Sequence, residues 1–149
     1  MFERQLRVNL IAPCLLADAF VSRLPEGVGG HIVNLVDQRV LKPTPDHISY
    51  ALSKAGLWAL TRMSAQALAP GLRVNAVAPG PTLPNREDGA GGFDDEAAAV
   101  PLARAVAPAA IADAVLYLAS AEHVTGAMIT VDSGQHIGWR TPDVIALER

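Results

Sequence analysis

From Phe2 to about Leu24, apolar residues recur at helical spacing: Leu6, Leu10, Cys14 and Ala17 form one row, widened by Leu15, Leu16 and Phe20. The pattern predicts a helix, broken or kinked near Pro13. Asn9 falls mid-helix on the apolar side, as a tolerated polar residue or as a buried amide holding water or a backbone carbonyl. Pro25 to Gly30 ends the helix. His31 to Val36 is then a nearly continuous apolar run with β-branched residues, which predicts a strand buried on both faces. Gln38 to Pro43 reads as a loop. Thr44 as N-cap and Pro45 at the first helical position predict a second helix running to about Leu68, stopped by Pro70-Gly71. Ile48, Ala51, Leu52, Ala55, Leu57, Trp58, Leu60 and Met63 leave that helix almost no polar face. A helix apolar all round is covered on both sides, here by the sheet and, most simply, by another subunit.

Leu72 to Ala78 is a second buried-type strand, closed by Pro79-Gly80-Pro81. Strand, helix and strand in that order imply a right-handed crossover and a parallel sheet. Thr82 to about Pro101 is rich in Gly and acidic residues and shows no period, which predicts a lid or a disordered loop. Pro108 to Ser120 predicts a helix with Ile111, Ala114, Val115 and Leu118 on one face. Thr125-Gly126 turns into a third strand, Met128 to Val131, ended by Asp132-Ser133-Gly134, and the remainder to Arg149 reads as a peripheral tail.

The 149 residues make one ordinary domain or part of one, and 50% of them are hydrophobic, enough for a core. A net charge of −3 gives no electrostatic case for nucleic acid. The single cysteine, Cys14, excludes an internal disulfide, and no Cys/His pairs stand at metal-ligand spacing. A cytoplasmic protein is the expectation, with neither a signal-type start nor an apolar run of the about 18 residues that a membrane span needs.

The candidate chemistry lies in Tyr50-Ala51-Leu52-Ser53-Lys54. A tyrosine and a lysine four residues apart stand one above the other on a helix face. Tyrosine has a reference pKa of about 10, and a nearby ammonium stabilises the phenolate, making the pair a candidate general acid. The alternative is a solvated helix face. Asp37 stands just past the first strand, where open α/β sheets place their ligands; it also ends the strand in the plainer reading.

Taken together, the segments Val8-Asn9-Leu10, Ile32-Val33-Asn34, Tyr50 to Ala55, Arg73 to Gly80, Thr125-Gly126 and Val131 to Gly134 resemble the short-chain dehydrogenase/reductase family. The resemblance implies an α/β, Rossmann-like parallel sheet flanked by helices, and an NADP(H) cofactor. It implies Tyr50 as proton donor, Lys54 on the nicotinamide ribose and lowering the Tyr50 pKa, and Asn9 supporting a water that links Lys54 to solvent. Pro79, Gly80 and Thr82 would lie near the nicotinamide amide. A small-molecule substrate and a homo-oligomer, dimer or tetramer, complete the expectation.

Two departures stand out. Asp37 occupies the family's usual serine position, as in the similar pteridine reductases and dihydromonapterin reductases. An ionised Asp37 near Tyr50 raises the tyrosine pKa against Lys54, while a proton-carrying carboxyl suits protonation of a ring nitrogen. The resemblance also implies that the glycine-rich phosphate loop and the N-terminal strands are missing, since Gly27-Val28-Gly29-Gly30 follows a helix and precedes a strand, the reverse of what a phosphate loop needs. Residues 1–149 are thus expected to be the C-terminal portion of a single domain of this family. The alternatives are a ketone or 3-oxoacyl reductase carrying Asp for Ser, and a non-catalytic remnant acting through oligomerisation.

Overall fold

The computed structural model describes residues 1–84 and 91–140. The N-terminal helix comes in three pieces, α1 (Phe2–Leu6), a π turn over Arg7–Ile11, and α2 (Ala12–Val21). Pro13 has no N–H for the Asn9 carbonyl and its ring crowds that carbonyl, so the chain takes a wider turn in which the Ala12 amide bonds the Arg7 carbonyl. The predicted break near Pro13 is this π turn. Arg23 and Leu24 fall outside the helix, their amides bonding Phe20 and Val21 carbonyls in a tighter closing turn.

Three strands, β1 (Gly30–Leu35), β2 (Leu72–Pro79) and β3 (Met128–Val131), form a parallel sheet in that order. Ile32 pairs with Val74 and Ala78 with Thr130. Between β1 and β2 runs α3 (Ile48–Leu68); between β2 and β3 come α4 (Gly92–Ala99) and α5 (Pro108–Ser120). Alternation along β2 puts Ala76 and Ala78 on one face, packed with Leu57 of α3 and Met128. Asn75 and Val77 turn to the other face, where Asn75 bonds the Val124 carbonyl just beyond α5. The expected Rossmann-like sheet with helices on both faces is therefore present.

Several boundaries differ from expectation. β1 is only half-buried, with Leu35 at its end exposed, because no strand among the described residues pairs with its second edge. Thr44 and Pro45 do not start α3. The helix begins at Ile48, after His47 in a left-handed conformation (φ 54°, ψ 41°), and no side chain caps it. Pro45 drives Thr44 out of the helical region, and the His47 twist breaks the path between that proline and the helix. The stretch expected to be periodless contains α4, whose acidic first turn, Asp94 and Asp95, complements the helix dipole. The part of that loop at 85–90, and the tail at 141–149, lie outside the described residues.

Ser53, Leu57, Thr61 and Ala65 form the buried row of α3 against the sheet. The polar members of this row are paired: Asn34 of β1 donates to Thr61 Oγ1 at 2.9 Å, and Ser53 Oγ accepts from Asn9 at 3.0 Å. Ile48, Leu52 and Met63 are 60%, 51% and 65% exposed, so part of the helix's apolar circumference faces solvent in the single chain. No helix among the described residues is long and apolar enough to cross a membrane.

Candidate active site

The C-terminal ends of β1 and β2 meet the first turns of α3, and there the sequence-predicted residues converge. Asp37, two residues past β1, uses both carboxylate oxygens: Oδ1 accepts the Arg39 amide at 2.8 Å, and Oδ2 accepts the Tyr50 hydroxyl at 2.8 Å. The first bond caps a 3-10 turn over Gln38–Val40, which fixes the carboxylate toward α3. Tyr50 and Lys54 share a face of α3, with Lys54 Nζ 5.7 Å from the centre of the Tyr50 ring. The Lys54 ammonium donates to the Leu35 carbonyl at 2.8 Å, at the very end of β1.

Electrostatics follow this placement. Burial, then the Asp37 charge and its hydrogen bond, push the Tyr50 hydroxyl well above the ordinary tyrosine range, against a smaller lowering by Arg39. Tyr50 therefore keeps its proton at neutral pH. Burial lowers the Lys54 pKa, and the Asp37 charge partly restores it. The lowering of Tyr50 expected of Lys54 comes here from Arg39 instead, and the opposition expected of Asp37 prevails.

Asn9 and Lys54 line one cavity, with no direct hydrogen bond between them. The Asn9 side-chain amide donates to Gln5 at 2.8 Å and to Ser53, bracing α1 against α3 beside the site. Pro79 closes β2 and lines the cleft with Gly80 and Thr82. Gly80 is required by packing: a Cβ there would stand 2.7 Å from the Asp132 Cα. The Thr82 hydroxyl donates back to the Gly80 carbonyl at 2.9 Å. Arg73 and Asn75, also in the family-like stretch, are structural. Arg73 donates to the carbonyls of Leu118 and Ala119, satisfying the end of α5, while Asn75 bonds the Val124 carbonyl and the Ala127 amide.

The cleft has a volume of about 460 Å³ and joins Asp37, Tyr50 and the Pro79–Leu83 segment to residues not singled out from sequence: Gln38, Arg39, His47, Glu96 and Gln135. Glu96 of α4 accepts from Gln135 at 2.8 Å, so two segments expected to be loop and tail meet over the cleft. Gln38 and Arg39 had a positional signal, just beyond the sheet's C-terminal edge.

A family model described as Enoyl-(Acyl carrier protein) reductase matches residues 1–136. The chain belongs to the short-chain dehydrogenase/reductase family. Protein FixR of Bradyrhizobium diazoefficiens is 40% identical over 141 residues, covering 90% of this chain and 49% of that one. Dihydromonapterin reductase of an Enterobacter species is 36% identical over 134 residues, covering 87% of this chain and 55% of the other. Among solved structures, FolM alternative dihydrofolate reductase 1 from Brucella suis, in complex with NADP, superposes with a TM-score of 0.92. It is 44% identical, over 96% of this chain and 58% of that one. The chain thus spans about half the length of the short-chain dehydrogenase/reductase relatives it matches.

Proposed function

We propose that this chain carries the proton-donating side of an NADPH-dependent reductase acting on a pteridine-like ring, with Tyr50 and Asp37 as the acid pair. The carrying observation is the Tyr50–Asp37 hydrogen bond of 2.8 Å. The similarity to a dihydromonapterin reductase and to FolM supports it. Tyr50 holds its proton at neutral pH and faces a polar cleft, as a general acid must. Asp37 accepts the Tyr50 hydroxyl, so the two side chains hold one proton between them beside the place where a ring nitrogen would receive it.

The donor set fits the nicotinamide side of the cofactor. Lys54 and Tyr50 offer an ammonium and a hydroxyl on one helix face; Pro79, Gly80 and Thr82 line the cleft with Tyr50, and Lys54 lines the neighbouring cavity with Leu35. Among the described residues no glycine-rich turn links a strand to a following helix, so the phosphates would find no amide cradle there. When bound, the cofactor supplies hydride; this chain's residues orient the substrate and move the proton. In this reading Asn9 serves as a brace, holding α1 where Ser53 and the Tyr50–Lys54 face need it. The exposed apolar residues of α3 are covered by a second copy in a homo-oligomer, and the exposed free Cys14 suits the reducing cytoplasm.

The test compares, in the complete protein that carries these residues, kcat/KM of wild type and Asp37→Ser on a dihydropterin and on a simple ketone. A well-placed general acid is worth about a hundred- to ten-thousandfold. Dihydropterin reduction is expected to fall in that range, while ketone reduction survives or improves, because serine donates well to a carbonyl oxygen. Equal losses on both substrates would make Asp37 structural and remove the pteridine assignment.

A further inference from the structure

The 3-10 turn that orients Asp37 also holds two polar groups that nothing in the fold uses. Gln38 is 5% exposed, yet its Oε1 has no hydrogen-bond partner among the described residues. The neighbouring Arg39 has a buried Nη1 in the same condition. Buried polar atoms in folded proteins are almost always paired, so an orphan acceptor beside an orphan donor calls for an explanation. Both residues line the cleft with Asp37 and Tyr50. Thr44 Oγ1 is also unpartnered in this loop, but Thr44 does not line the cleft.

We propose that Gln38 and Arg39 are specificity residues that read the amide edge of a planar heterocyclic substrate. The Gln38 carboxamide oxygen accepts a ring N–H, and the Arg39 guanidinium donates to the adjacent ring carbonyl. The proposal rests on the pteridine reading and deepens it, since a lactam is the ring edge that presents one donor beside one acceptor. A ligand with acceptors only would leave Gln38 unpaired, and one with donors only would leave Arg39 unpaired. An anion would meet Asp37 and Glu96 in the same cleft, which favours a neutral edge. Because the Arg39 amide bonds Asp37 Oδ1, the recognition groups and the acid belong to one turn and are oriented together.

Binding separates this assignment from the reading beneath it. With NADPH present, the complete protein that carries these residues is titrated with a dihydropterin and with the matching diaminodihydropteridine. In the second probe an amino group replaces the ring carbonyl, and the neighbouring ring nitrogen carries no hydrogen. Wild type is expected to prefer the dihydropterin. Gln38→Met and Arg39→Met should each weaken that probe by about tenfold, the scale of one lost hydrogen bond to a buried or charged partner, and leave the analogue unchanged. Circular dichroism establishes that each variant folds, and Arg39→Met decides the matter if Gln38→Met does not. Variants that bind the dihydropterin like wild type, or lose both probes equally, overturn the assignment and leave the pteridine reading standing. A wild type that binds neither probe overturns both.

Discussion

Tyr50 spends its hydroxyl hydrogen on Asp37, and that bond makes its titration a direct report on the site. Two of the three influences raising its pKa come from Asp37, so Asp37→Ser should bring the Tyr50 titration down toward the ordinary value. The chain has two tyrosines, so in a Tyr117→Phe background the tyrosinate absorbance reports Tyr50 alone. An unchanged titration would mean that burial, the largest influence, acts almost by itself. His31 makes the second residue-scale case. Asn75 is oriented by the Ala127 amide on its oxygen and the Val124 carbonyl on its nitrogen, so its 3.2 Å contact to His31 Nε2 needs a neutral ring that accepts. Burial, aided by Arg73, lowers the His31 pKa accordingly. A lowered folded-state pKa means that the stabilisation is complete above the unfolded value of about 6.5 and is lost as pH falls. Melting temperature should therefore drop on the acid side, and His31→Gln should flatten that drop. The Tyr50–Lys54 pair was legible from its four-residue spacing, and Asp37 from its place past β1 and from the family resemblance. Gln38 and Arg39 were legible only by position, because only a fold shows which buried atoms lack partners.

Among the elements, two glycines distinguish packing that cannot yield from packing that can. A Cβ on Gly80 meets Asp132 backbone at 2.7 Å, whereas a Cβ on Gly56 in α3 meets the tip of Leu10 at 2.8 Å. Gly80→Ala must shift the chain after β3 and should cost about 1 to 3 kcal/mol. Gly56→Ala asks only a flexible side chain to move and gains about 1 kcal/mol of helix propensity, so it should be close to neutral. Denaturant midpoints of the two variants check the contrast; equal costs would contradict it. The strands and the two long helices were readable from period and β-branching. The start of α3 was not, because Thr44-Pro45 is a sound local signal that the left-handed His47 overrides. Nor was α4, a short helix whose acidic first turn and alanine run carry no amphipathic period.

Large apolar residues stand exposed at Ile48, Leu52 and Met63 of α3 and at Val8, Ile11 and Leu15 of the N-terminal helix. Where such residues gather into a patch they mark association surfaces. Light scattering is expected to return a multiple of the chain mass, and Leu52→Glu with Met63→Glu to shift it toward the monomer. A stable wild-type monomer would count against the expectation. The sequence carries the same expectation in the apolar circumference of α3, since a helix with no polar face has to be covered twice.

The bond between Lys54 and Leu35 has a consequence at this same scale. In β1 the amides of Gly30 and Val36 point to β2, donating to Gly71 and Val77, so by alternation the groups of His31, Val33 and Leu35 face the open edge. Lys54 occupies the last of those carbonyls. A strand adding itself to this edge can zip along His31 and Val33 but must stop short of Leu35 or expel a charged amine. The lysine thus ends pairing short of Leu35, blunting an edge that no described strand covers.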